Sequence, residues 1–152
     1  MVSCCAILLV SCDDAQVCED YSKVPLRVGF YRMTNNQPAR HSIDSITIFG
    51  LGNDSIIYNN AKNVSSVELP LDPSRDSTAF VFVFPEINDT IWLYYDRKLT
   101  LISIECGFLN HYELQKIEHG GFLIRSAQIM QPTITNNLDE HIRIFPLITG
   151  NL

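Results

Sequence analysis

Positive charge is scarce in this 152-residue chain, which has 11 Lys and Arg against 17 Asp and Glu and a formal net charge of −6. No Lys/Arg-rich run exists to follow a phosphate backbone, so nucleic-acid binding is not expected. The same acidic balance gives no electrostatic hold on anionic lipid. No apolar stretch approaches the roughly twenty residues that a membrane-crossing helix needs. Signatures of chemistry are missing too: there is no HExxH or HxH pairing, no GxSxG elbow, no CxxC and no glycine-rich phosphate loop. His41, His111, His119 and His141 stand apart in the sequence, and His111 with Glu113 on one strand side is too small a set for zinc. Asp72-Pro73-Ser74-Arg75-Asp76 holds too few oxygen donors for a calcium loop. The chain is therefore read as a non-enzymatic protein with no metal and no cofactor. An unrecognised hydrolase is the alternative, because a pair of catalytic carboxylates is defined by its separation in space.

What the chain does have is an address. An uncharged apolar run ends in Leu9-Val10-Ser11-Cys12 and is followed at once by Asp13-Asp14. This pattern resembles a bacterial lipoprotein signal peptide. The resemblance implies that residues 1–11 are removed, that the Cys12 thiol carries a diacylglyceryl group, and that the new N-terminus is acylated. Met1-Val2-Ser3 carries no Lys or Arg, so the encoded signal is expected to be incomplete at its start. Cys4 and Cys5 have no full apolar segment before them and are weaker acceptors. The rival reading makes residues 1–11 a buried first strand of an ordinary domain. Buried acyl chains contribute ~0.8 kcal/mol per methylene, enough to hold the protein without a transmembrane helix.

Cysteine arithmetic follows from that address. With Cys4 and Cys5 removed and Cys12 acylated, Cys18 and Cys106 are left as an even pair in an oxidising compartment, and a disulfide is expected. Closing so long a loop is worth about 4–5 kcal/mol in the chain-entropy model. Two separately buried free thiols are the alternative.

Residues 12–24 read as a polar, lipidated tether, and residues 25–152 as one folded domain. Leu26, Val28 and Phe30 alternate with Arg27, Gly29 and Tyr31, and Ile46 and Ile48 repeat the pattern, both as antiparallel strands. Ile56 to Tyr58 forms a further strand, ended by Asn59-Asn60. Val67, Leu69 and Leu71 suggest an edge strand, since Pro70 and Pro73 follow. Ala79 to Phe84 is apolar on both parities and belongs in the middle of a sheet. Thr90 to Tyr95 returns, Asp96-Arg97-Lys98 turns, and Leu99 to Cys106 forms the next strand. Tyr112 and Leu114 mark another, Gly120-Gly121 a hairpin bend, Phe122 to Met130 a strand, and Ile142 to Phe145 the last. Thr133 to Glu140 reads as an exposed loop. Closely spaced short strands with scarce helix indicate an all-β protein, an antiparallel β-sandwich, for which an immunoglobulin-like topology is one option although the Cys and Trp spacings of antibody domains are absent.

Two features could carry recognition. Trp92 and Tyr94 share one strand face, with Ile91, Leu93 and Tyr95 on the other, so a sugar ring or peptide could stack on the first pair. Core filling is the plainer account of Trp92. Secondly, Asp44-Ser45-Ile46, Asp54-Ser55-Ile56, Asp76-Ser77-Thr78 and Asp89-Thr90-Ile91 resemble the acceptor for protein O-glycosylation in Bacteroides-like bacteria, which would place glycans on Ser45, Ser55, Ser77 or Thr90. Asp-Ser at a strand entry also makes natural turn hydrogen bonds. The Asn53, Asn63 and Asn88 triplets are read as incidental.

The Leu9 to Cys12 segment, Cys18, Phe30-Tyr31, Asp44-Ser45-Ile46, Gly50-Leu51-Gly52, Leu69-Pro70-Leu71 and Glu105-Cys106-Gly107-Phe108 together resemble a family of small uncharacterised lipoproteins of Bacteroides-like bacteria, a domain of unknown function. The resemblance implies no catalytic or binding residue. An acidic stretch after the acylated cysteine is similar to a surface-export signal in such bacteria, whereas Asp at that place in enteric bacteria favours the inner membrane. The expected location is the outer membrane, facing either the periplasm or the outside. Three roles follow: an anchored domain that binds or scaffolds an envelope protein, a glycan-binding module using Trp92 and Tyr94, or a hydrolase.

Overall fold

Alternation at Leu26, Val28 and Phe30 does build the first strand, β1 (Pro25–Thr34), and all three side chains are buried. The computed structural model describes Cys18 and residues 24–52, 55–85 and 87–147. Ten further strands follow: β2 (Gln37–Arg40), β3 (Ile43–Gly50), β4 (Ile56–Val64), β5 (Ser66–Pro70), β6 (Ser77–Val83), β7 (Asn88–Ser103), β8 (Gly107–His119), β9 (Ile124–Ile129), β10 (Thr133–Ile134) and β11 (Ile142–Pro146). They form two sheets. One runs β2-β1-β11-β9, with β5 also paired to β1, and the other runs β10-β8-β7-β6-β3-β4. The result is the expected all-β sandwich. Among the described residues no helix is long and apolar enough to cross a membrane.

The core lies between the sheets, as burial of alternate residues requires. Leu26, Val28, Phe30, Val67, Leu69, Ile124, Ile142 and Ile144 face Ile46, Ile48, Phe80, Phe82, Ile91, Leu93, Tyr95 and Leu114. Phe30 meets Phe82 edge to face across the layers at 6.3 Å. β6 sits between β3 and β7, so the apolar run Ala79 to Phe84 is central, with Phe80, Phe82 and Phe84 inward. Tyr95 reaches the core's edge, where its hydroxyl lies 2.6 Å from the Thr78 hydroxyl and accepts from the Asp72 backbone N–H.

Several expectations are corrected. β1 is antiparallel to β2 and β5 but parallel to β11, with Val28 opposite Ile142. Asp96-Arg97-Lys98 is not a turn, and Leu99 to Cys106 is not a separate strand: β7 runs unbroken to Ser103. The three polar residues stay in the ladder because neighbours satisfy them. Arg97 donates to Asp76 and to the Pro73 carbonyl, and Asp96 accepts from Gln115. The reversal comes at residues 104–106, with Gly107 at φ +73° and the Cys106 N–H donating to the Ser103 hydroxyl. Gly120-Gly121 bends the chain, but from one sheet to the other rather than into a hairpin. Asn59-Asn60 does not end its strand. Asn60 and Asn63 take positive φ, and the register shifts opposite Ile46–Ile48 let β4 continue to Val64 as a bulged strand. Thr133 to Glu140 is not wholly exposed, since Ile134 pairs with Tyr112 and is fully buried.

Candidate functional site

Strand parity decides where the aromatic pair lies. Asp89, Ile91, Leu93 and Tyr95 of β7 point into the sandwich, so Thr90, Trp92 and Tyr94 point out. Trp92 is half-buried on this outer face and does not fill the core; Tyr94 beside it is 37% exposed. Ala79 lies opposite Trp92 on β6, and Glu118 lies opposite it on β8. Lys116 pairs in register with Tyr94, its ammonium 5.7 Å from the ring centroid. Glu118 accepts from the Tyr94 hydroxyl at 3.0 Å and from Lys116 at 2.5 Å. The hydrogen bonds from Lys116 and Tyr94 hold the Glu118 carboxyl below its usual range, while the bond to Glu118 raises the Tyr94 phenol. Trp92, Tyr94, Ile117, Glu118 and His119 line a shallow depression of about 490 Å³. Flat aromatic rings rimmed by a carboxylate, an ammonium and a phenol are suited to stacking on an apolar ring face while hydrogen-bonding its hydroxyls.

The other sheet carries an outer-face cluster that sequence reasoning missed. Tyr31 on β1 lies between Arg40 and Arg143, whose guanidinium carbons stand 4.9 and 4.7 Å from its ring centroid. Glu140 gathers all three, accepting from the Tyr31 hydroxyl at 2.8 Å, Arg40 at 2.5 Å and Arg143 at 3.0 Å. Burial alone would raise the Glu140 carboxyl, but these donors outweigh it and hold it low. Gly29 makes room, since a Cβ there would come within 2.1 Å of the Glu140 carboxylate. Every charged group is paired, so the cluster ties the segment before β11 onto β1. The alternation of Gly29 and Tyr31 could have suggested an outer face, but of the partners only Arg40 is near in sequence, while Glu140 and Arg143 are more than a hundred residues away.

Among the described residues no group of three His, Cys, Asp or Glu could hold an ion. His141 is fully buried, its Nδ1 accepting from the Arg27 backbone N–H at 2.9 Å. Asp89 is buried as well, and its carboxylate accepts from the N–H groups of Thr90, Leu123 and Ile124.

The expected Cys18–Cys106 disulfide is present and closes a separation of 88 residues. Cys106 stands at the reversal between β7 and β8. The expected acylation residue Cys12, the segment 1–11 expected to be removed and most of the expected tether lie outside the described residues, as do Asn53 and Asp54. The remaining glycan candidates are scattered. Ser45 is half-buried and bonded to Asn60, Ser55 and Ser77 are exposed, and Thr90 lies half-buried on the outer face next to Trp92. Asn63 sits in the bulged part of β4, and Asn88 opens β7.

These elements define a disulfide-linked β-sandwich with one aromatic outer face and one charge-locked outer face. The chain belongs to the family of unknown function DUF6452, whose profile matches residues 45–146. No curated protein and no solved structure matches it.

Proposed function

We propose that this chain is a cell-envelope lipoprotein, held through acyl chains on Cys12 at the outer membrane, whose sandwich is a non-enzymatic binding or scaffolding domain. The Cys18–Cys106 bond supports this reading, because a paired disulfide in a small domain fits an oxidising, exported location. Mass spectrometry of the native protein tests it. An N-acylated diacylglyceryl residue at Cys12 is expected, and a free, unmodified Cys12 would overturn the anchor.

Within that role, the outward placement of Trp92 favours a carbohydrate partner. A buried indole would have left only packing to explain it, whereas this one faces solvent beside Tyr94 and the Glu118–Lys116 rim. Stacking of a ring on an outward-facing aromatic pair typically contributes on the order of 1 kcal/mol per contact. Trp92→Ala is therefore expected to weaken glycan binding about fivefold on an array, with the folded state unchanged. Undiminished binding by this variant would remove the glycan reading and leave a protein partner, which affinity capture with the acylated protein would then have to recover.

A further inference from the structure

The hairpin of β7 and β8 is longer than the sheet it packs against. β7 has 16 residues and β8 has 13, whereas β5 and β11 on the opposite layer have 5 each. Tyr95, Tyr112 and Leu114 meet the opposing layer, but the same strand face continues past its end. In this overhang Leu101 pairs with Phe108 and Leu99 with Asn110. Leu99 is 63% exposed, Leu101 53% and Phe108 65%, and Ile104 at the reversal is 92% exposed. Single exposed apolar residues are ordinary, but four on one projecting tip make a contiguous patch that marks a contact site. Behind it Val24, Pro25, Pro70, Leu71 and Tyr112 line the root of the overhang.

The disulfide says where this tip must be. Cys106 in the tip is bonded to Cys18, and Cys18 lies six positions after Cys12. A fully extended chain spans at most ~3.5 Å per residue and the disulfide adds 5.2 Å between Cα atoms, so Cys106 cannot lie more than roughly 26 Å from the Cys12 backbone. We propose that the β7–β8 tip is a membrane-contact element, with Ile104, Leu101, Phe108 and Leu99 resting in the interfacial layer of the bilayer that holds the anchor. The inference rests on acylation of Cys12. The backbone of β7 and β8 is paired within the hairpin, so it carries few unsatisfied groups into that layer. Glu105, exposed next to Ile104, keeps the insertion shallow, because its carboxylate must stay among the headgroups. Two attachment points, acyl chains and tip, would fix the orientation of the sandwich and stand the aromatic face of Trp92 upright from the surface.

The test uses the full, acylated protein in vesicles of phosphatidylethanolamine and phosphatidylglycerol containing brominated acyl chains. Trp92 is the only native tryptophan; in a Trp92→Phe background, Ile104→Trp places an indole at the tip. Phe122→Trp places one at the opposite pole, beside the start of β7 and roughly 45 Å away along the strand. Phe122 is 75% exposed, so neither substitution disturbs packing. The expected result is a blue shift and loss of emission for the tip indole and no change for the distal one. Emission at the tip that is unaffected by brominated lipid, because residues 19–23 or a protein partner cover it, overturns the inference. Mass spectrometry of the same samples separates the two claims: unmodified Cys12 defeats the anchor, whereas acylated Cys12 with an unquenched tip defeats only the contact.

Discussion

Among the described residues His141 is the one buried imidazole, and its environment fixes its state. Nδ1 accepts from the Arg27 N–H, so the proton sits on Nε2, which finds no partner among the described residues. Burial first, then the Arg27 charge, pushes its pKa down, and Asp139 offsets only part of that. An unfolded histidine titrates near 6.5. The unfolded chain therefore binds this proton before the native one does, and the contribution is present above about pH 6.5 and lost as pH falls through the depressed native value. Half-buried His41, shifted the same way by burial and Arg32, adds to the trend. Urea midpoints measured from pH 7.5 to 5 should fall. In His141→Asn the amide oxygen can still accept from Arg27, and the slope should flatten by up to about 1.4 kcal/mol per pH unit, the value for one proton.

At the scale of elements, Asp89 shows how a loop is held without a hairpin. It is the second residue of β7, yet its carboxylate binds the N–H groups where the chain enters β9, more than thirty residues later. Burial would raise its pKa, but the donors from Ile124, Leu123, Thr90 and Gly120 prevail and lower it. A Cβ at Gly120 would come within 2.5 Å of that carboxylate, which is why the crossing needs glycine there. Asp89→Ala leaves the buried Ile124 N–H and the part-buried Thr90 and Leu123 N–H groups without this acceptor, at about 1–3 kcal/mol for a buried group, so a loss of about 3 kcal/mol is expected from urea unfolding at pH 7. Sequence could not show this contact. It showed strands wherever one face is apolar, as in Leu26 to Phe30 and Ala79 to Phe84, and it showed which face Trp92 shares with Tyr94. It failed where polar residues are satisfied by distant partners. Asp96-Arg97-Lys98 has turn chemistry but a ladder position, because Asp76 and Gln115 supply the bonds. Asn35 and Asn36, both at positive φ, form the two-residue turn into β2. Adjacent asparagines are a local signal for such a hairpin, and it went unread because Gln37 to Arg40 has no apolar alternation. The Glu140 cluster was hidden for a different reason, since only the β1–β2 and β1–β11 pairings bring Arg40 and Arg143 to either side of Tyr31.

For the whole molecule, the disulfide and the sheet order set the stability and the order of assembly. A bond closing 88 residues limits the unfolded chain most, and its reduction should lower the unfolding free energy by about 4–5 kcal/mol, read as a shift in urea midpoint with and without reductant. The parallel contact of β1 with β11 has a kinetic consequence. β6, β7 and β8 pair with their sequence neighbours and can zip together early, but Val28 must wait for Ile142, 114 positions further on. Such distant pairing is slow because loop closure must precede any gain. β1, though made early, is thus among the last described strands to find its place, and until β11 arrives one edge of β1 has no neighbour. A chain crossing a membrane in extended form would keep that edge open throughout its passage and close only after release.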